Sequence, residues 1–263
     1  MWSKSAGSGV PVVLVHGALC DYRWWEPQLD ALAQGWQVIA VSLDGFYPTP
    51  ALSPDAFSSE RHAAALAAFL DTFQTPVHLV GHSRGGRIAL HAATRMKRPL
   101  RALVLIEPGG EIAPGFLPAS APAATSSSAA DLRTRTLALV QAGDAEAAMR
   151  LYIDGGHGEG RWDRLAAPVR QIIVDNAGTI AGMVRDRSGA FTAETARAIA
   201  CPTLLMVGVA SPPIFGRIVD ALETYVPSHE RQTVPEADHF LTWDKAAAVN
   251  AALIDWLRRH AGR

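Results

Sequence analysis

The chain has 263 residues, 49% of them apolar and 19% charged, with a formal net charge of −1. That is enough for one large core or a core with an inserted lid, and the scattered Lys and Arg leave no electrostatic footprint for nucleic acid or an anionic membrane. Cys20 and Cys201 lie far apart without CxxC spacing, which reads as two free thiols and argues against a disulfide framework or a zinc site.

From the amino end, "VPVVLV" at 10–15 is the first apolar run. It is much shorter than a membrane span or a signal core. The expectation is a cytoplasmic protein with no membrane or nucleic-acid partner. Further β-branched or Leu-rich runs follow at 36–43 ("WQVIAVSL"), 76–81 ("PVHLVG"), 101–109 ("RALVLIEPG"), 202–208 ("PTLLMVG") and 231–237 ("RQTVPEA"). Helical patterns separate most of them, at 24–34, 58–73, 84–97, 214–225 and 244–260. Continuous apolar strands alternating with helices predict an α/β fold: a mainly parallel sheet of about six strands, covered by helices on both faces.

The alternation breaks between about 110 and 198. This stretch opens with the Pro-, Ala- and Ser-rich "APGFLPASAPAATSSSAADL" and continues with helical patterns at 129–142, 144–153 and 161–178. Gly143-Asp144 suits the end of one helix and the start of the next. The reading is an all-helical cap over 111–198, inserted into a core built from 1–110 and 199–263. A structureless loop of that length would be unusual in a compact domain.

Chemistry concentrates at "LVGHSRGGRIALHA", 79–92, where Gly81-His82-Ser83-Arg84-Gly85 forms G-x-S-x-G between a predicted strand and a predicted helix. On such a turn the serine takes strained backbone angles, and the glycines spare a collision with the neighbouring strand and helix. With these residues in place, the chain resembles the α/β-hydrolase family from about residue 10 to its carboxyl end. "VVLVHGALCDYRWWEPQLDALA" resembles the family's first strong strand and His-Gly oxyanion turn. "PEADHFLTWDKAAAVNAALIDWL" resembles the segment with its catalytic histidine and last helix.

The resemblance implies Ser83 as nucleophile, His239 as base, and the backbone N–H groups of Ala18 and Arg84 as oxyanion donors. His16 would belong to the oxyanion turn, His82 to the elbow and His78 to a strand. His62, His91, His157, His229 and His260 read as solvated. The acid departs from the family's usual G-x-x-D, because Gly208-Val209-Ala210-Ser211 carries no carboxylate there. Glu107, at the end of the strand beside the elbow strand, is the preferred acid, since some members carry it there. Glu111 and Asp238 remain alternatives. Cys20 and Tyr22, the residues Tyr152, His157, Trp162 and Met183 of the helical stretch, and Phe240 are candidate substrate contacts. Trp24 and Trp25 read as anchors of a helix to the core. The arginines near 133–135 and 185–187 read as a solvated face.

About nine residues precede the first strong strand, so the antiparallel strand pair usual in the family is expected to be missing or vestigial. The strand 36–43 would then be an open edge, shielded or paired in a homodimer. The functional expectation is a serine hydrolase cleaving a carboxylic ester or lactone through an acyl-enzyme, with no metal or organic cofactor. Its substrate would be small, neutral and fairly hydrophobic. A carbon–carbon bond hydrolase, a cofactor-free perhydrolase and a triad-bearing receptor with little turnover are the alternatives. Dehalogenase and epoxide hydrolase chemistry is disfavoured, because those relatives need a carboxylate at position 83.

Overall fold

Strands β2 (Pro11–Val15), β4 (His78–His82) and β5 (Ala102–Ile106) are buried at every position. Both faces of each strand must therefore be covered, which accounts for the unbroken apolar runs in the sequence. The computed structural model describes residues 1–117 and 126–262. Among them, seven strands form one sheet, including β1 (Trp2–Ala6), β3 (Gln37–Ser42), β6 (Thr203–Gly208) and β7 (His229–Val234), in the order β1-β3-β2-β4-β5-β6-β7. Every pairing is parallel except β1 with β3.

The expected vestige of an amino-terminal strand pair is present among the described residues as the single strand β1, which brings the sheet to seven strands where about six were expected. β1 pairs in register with β3, from Trp2 opposite Ser42 to Ala6 opposite Val38, and Trp2 packs on Tyr22 with ring centroids 4.1 Å apart. The edge that called for a partner copy is thus covered by the chain itself, and the reason for expecting a homodimer falls away. The opposite edge, β7, is exposed along most of its length. It carries charge: Arg231 pairs with Asp220 and Glu223, and Glu230 pairs with Arg259. Charged side chains on an edge strand discourage further strand addition.

Helices α1 (Glu26–Ala33), α2 (Ser59–Leu70) and α3 (Arg84–Ala93) follow strands in the first half of the chain. Between β5 and β6 come α4 (Ser126–Gln141), α5 (Ala145–His157), α6 (Arg161–Arg164), α7 (Ala167–Asp175), α8 (Ile180–Arg185) and α9 (Ala193–Arg197). The last three are α10 (Pro213–Tyr225), α11 (Leu241–Asp244) and α12 (Ala246–Arg259). α12 buries Val249, Leu253, Trp256 and Leu257, the stripe expected of a helix docked along one side. Asp144 caps α5 by accepting from the Ala147 N–H at 3.0 Å. The single helix expected over 161–178 is broken, because Leu165 is extended and Pro168 opens a new helix. The Pro- and Ser-rich start of the insertion, 118–125, lies outside the described residues.

Two polar hooks tie the helical segment to the sheet's loops. Asn176 donates to Asp21 at 2.7 Å and accepts from the Tyr47 N–H at 2.8 Å. Asp186 accepts from the hydroxyl and N–H of Ser59, at 2.6 and 3.1 Å. Deleting residues 1–7 should bare the β3 edge and shift the protein toward larger species as concentration rises, read by size-exclusion chromatography with light scattering. An unchanged elution profile would show that β1 shields nothing.

Candidate active site

The turn joining β4 to α3 is held from several directions. Ser83 sits at φ 53° and ψ −122°, a backbone region that L-residues occupy only when their surroundings enforce it. Its N–H donates to Ile106 O at 2.9 Å, and its carbonyl accepts from the N–H groups of Gly86, Arg87 and Gly109. A Cβ on Gly85 would lie 2.3 Å from His16 O and 2.4 Å from Val15 O, and one on Gly81 would lie 2.5 Å from Gly85 O. Both positions flanking the serine therefore exclude any side chain.

His239 follows β7 and precedes α11. Its Nε2 lies 2.9 Å from Ser83 Oγ and its Nδ1 lies 2.9 Å from Glu107 Oε2. Glu107 is fully buried at the end of β5, at φ 47°. Its second oxygen accepts from the Gly208 N–H and from Ser211 Oγ, each at 2.6 Å. The stretch 208–211, which carries no carboxylate of its own, thus supplies the donors that hold Glu107. Burial pushes the Glu107 pKa up, against these two hydrogen bonds. Burial also holds the His239 imidazole below its ordinary pKa.

The His239 ring is stacked on Phe215, with centroids 4.0 Å apart, and on His157 at 5.0 Å. His82, itself stacked on Trp24, donates from Nε2 to the His239 carbonyl at 3.0 Å. The other carboxylates considered are occupied elsewhere. Asp238 meets Arg161 at 2.7 Å and caps the Phe240 N–H, whereas Glu111 faces Arg133 at 3.5 Å.

Two cavities open on Ser83. The larger, about 550 Å³, is also lined by Ala18, Arg84, Tyr152, Met183 and Phe215; the smaller, about 110 Å³, takes in Cys20, Trp24, His157, His239 and Phe240. Cys20 and Cys201 are free and buried. Tyr22 and Trp162 line neither cavity, contrary to expectation: Tyr22 is packed on Trp2 at the β1 edge, and Trp162 is a core side chain. Trp24 does more than anchor a helix, since it also lines the smaller cavity.

The sequence reading missed Arg87 and took Arg133 and Arg187 for a solvated face; all three line the larger cavity with Arg84, Arg187 from an exposed position and Arg133 half-buried. Arg135 and Arg185 are exposed as expected. The absence of clustered cations, on which a neutral substrate was expected, does not hold in three dimensions. Arg87 was findable, because it lies one helical turn beyond Ser83. The other two lie on separate helical segments that periodicity cannot dock.

The model of the alpha/beta hydrolase family matches residues 12–252. The chain belongs to the α/β hydrolase family. Among its relatives, a pimeloyl-[acyl-carrier protein] methyl ester esterase of Legionella pneumophila is 33% identical over 100 residues, 38% of each chain. A putative carbamate hydrolase of Stutzerimonas stutzeri is 34% identical over 96 residues, 36% of each chain. The matched stretch spans well under half the length of these curated relatives. In fold, this α/β hydrolase is similar to MenH from S. aureus, with TM-score 0.79 and 17% identity over 99% of both chains. It is also similar to the enol-lactonase from Burkholderia xenovorans, with TM-score 0.72 and 17% identity over 98% of this chain and 96% of that one. No helix among the described residues is long and apolar enough to cross a membrane, and no group of side chains there is arranged to hold a metal ion.

Of the five histidines expected in solvent, only His229 is exposed. His62, His91 and His260 are buried, and His157 lines a cavity. Burial holds His16, His62 and His78 down at about 4 and His157 at about 3. The unfolded chain, with imidazoles near 6.5, binds more protons than the folded one between those values, so stability falls as pH drops below about 6.5. Each such histidine contributes up to about 1.4 kcal/mol per pH unit in that window. The unfolding free energy should decline steeply from pH 6.5 toward 4; a flat urea midpoint across that range would refute it.

Proposed function

We propose that this α/β hydrolase is a serine hydrolase cleaving a carboxylic ester or lactone. One observation carries the reading: the continuous hydrogen-bonded path from Ser83 Oγ through both ring nitrogens of His239 to a buried carboxylate. A serine hydroxyl is a weak nucleophile until a neutral imidazole accepts its proton. Burial keeps His239 neutral in the resting state, and Glu107 accepts its Nδ1–H, so Nε2 is left free to act as the base.

In the reaction, Ser83 Oγ attacks the carbonyl carbon while its proton passes to His239 Nε2. The imidazolium formed is stabilised by the Glu107 carboxylate. Negative charge on the substrate oxygen meets the backbone N–H groups of Ala18 and Arg84, residues that line the cavity beside Ser83. Arg84 is the first residue of α3, so its N–H has no acceptor within the helix and is available to a ligand. Each such donor is worth about 3 kcal/mol of barrier. Collapse expels the alcohol with the proton from His239. Water, activated by the same imidazole, then releases the acid. Esterase and lactonase names among the relatives and fold neighbours agree with this reading.

Ser83→Ala should lower kcat on a short p-nitrophenyl ester by at least about 10³-fold with the circular-dichroism spectrum intact, and Glu107→Gln by about 10⁴-fold. Turnover near the unmodified level in either variant would overturn the assignment. Because burial lowers the His239 pKa, the acidic limb of kcat/KM should fall below pH 6.5. A limb midpoint above 7 would mean that another group is titrating.

A further inference from the structure

The larger cavity holds four guanidinium groups and two carboxylates, arranged as two sets of three. In the inner set, Arg84 Nη1 meets Asp186 Oδ2 at 3.0 Å, while Arg87 stands 3.9 Å from the same oxygen. Asp186 is already engaged, accepting from the hydroxyls of Ser59 and Ser188 at 2.6 Å each and from both their N–H groups. Arg87 meets neutral acceptors: Ser59 Oγ at 2.8 Å, Ser188 O at 3.1 Å and Gly189 O at 3.4 Å. Its side chain is only 3% exposed and that of Arg84 7%. His62, which faces Arg84, is held neutral by burial. In the outer set, Arg133 and Arg187 share Glu111 at 3.5 and 4.0 Å.

Each set leaves one positive charge without a counter-charge. Arg84 and Arg87 are buried, and a buried cation without a counter-charge is costly unless something negative completes it; Arg133 is half-buried and Arg187 exposed, so their guanidinium groups are open to an incoming anion. Tyr152, also on the wall, is a phenol and adds no carboxylate. The rest of the lining includes Ile112, Met183, Ile214, Phe215 and Ile218, which suits a short hydrocarbon stretch.

We propose that the arginine-lined wall of the Ser83 cavity is a carboxylate subsite, so that the substrate is an ester or lactone carrying a free acid group. The anion is received by the accessible guanidinium groups of Arg133 and Arg187, with Arg84 and Arg87 behind them. Arginine suits this task, because its planar fork meets a carboxylate through two parallel hydrogen bonds. The inference rests on the hydrolase reading only for the position of the scissile bond. It replaces the neutral substrate expected from sequence.

The test uses Ser83→Ala protein, so that ligands persist, and isothermal titration at pH 7.5 with monoethyl succinate, glutarate and adipate and the matching diethyl esters. At least one half-ester should bind ten times more tightly than its diester, with the advantage shrinking as salt is raised. Arg133→Gln together with Arg187→Gln, both outside the buried set, should reduce that ratio below threefold. Equal or tighter binding of every diester, no binding of any half-ester at millimolar concentration, or an undiminished ratio in the double variant would overturn the subsite. Turnover by the unmodified enzyme is scored separately. Preferential binding without hydrolysis would sink the hydrolase reading and leave the subsite standing, and hydrolysis without preference would do the reverse.

Discussion

Everything at this sheet edge depends on how β4 and β5 end. Both strands finish in a non-glycine residue at positive φ, Ser83 at 53° and Glu107 at 47°, and each such residue costs on the order of 1–3 kcal/mol. The two endings support each other: the Ser83 N–H donates to Ile106 O, the residue before Glu107, and Gly109 N–H donates back to the Ser83 carbonyl. Parallel pairing of β4 with β5 is therefore continued past the strands themselves. That continuation sets the serine hydroxyl and the carboxylate on either side of the His239 ring.

The imidazole between them is fixed by its surroundings more than by its two hydrogen bonds. Phe215 and His157 stack on it, and His82 reaches its backbone carbonyl. Such packing removes water, and water removal is what keeps the ring neutral and basic at its free nitrogen. The same burial governs His16, whose Nδ1–H donates to Gly17 O at 2.8 Å while Nε2 accepts from the Leu43 N–H. This histidine braces the turn that presents Ala18. The fold thus places desolvated neutral imidazoles both in its bracing turns and at the proposed catalytic centre.

Around this centre, charge is distributed unevenly. A chain with a net charge of −1 gathers four arginines on one cavity wall because α3, α4 and the segment after α8 converge there. Of the two acids that accompany them, Asp186 also holds loops, bonding Ser59 and Ser188 as well as Arg84. Overall composition is uninformative about such a wall, since a local field depends on which side chains share a cavity and not on their sum.

Much of this protein was legible in the linear chain. Buried parallel strands have to be apolar throughout, and a serine elbow has to be flanked by glycine, so the fold class and the elbow at Ser83 were legible in local chemistry, whereas His239 was picked out by resemblance to the family. Glu107 was preferred as the acid on resemblance to some family members, with Glu111 and Asp238 left open, and the structure brings its carboxylate to His239 Nδ1. Tertiary structure alone decided the rest. β1 is four-fifths exposed and polar in its middle, WSKSA, so no hydrophobic period announces it; pairing with β3 makes it a strand. The burial of His62, His91 and His260, the exclusion of Tyr22 and Trp162 from the cavities, and the meeting of Arg133 and Arg187 all depend on how separate helices dock. Docking is a matter of long-range packing, and periodicity within one helix shows which face is apolar without showing what that face will meet.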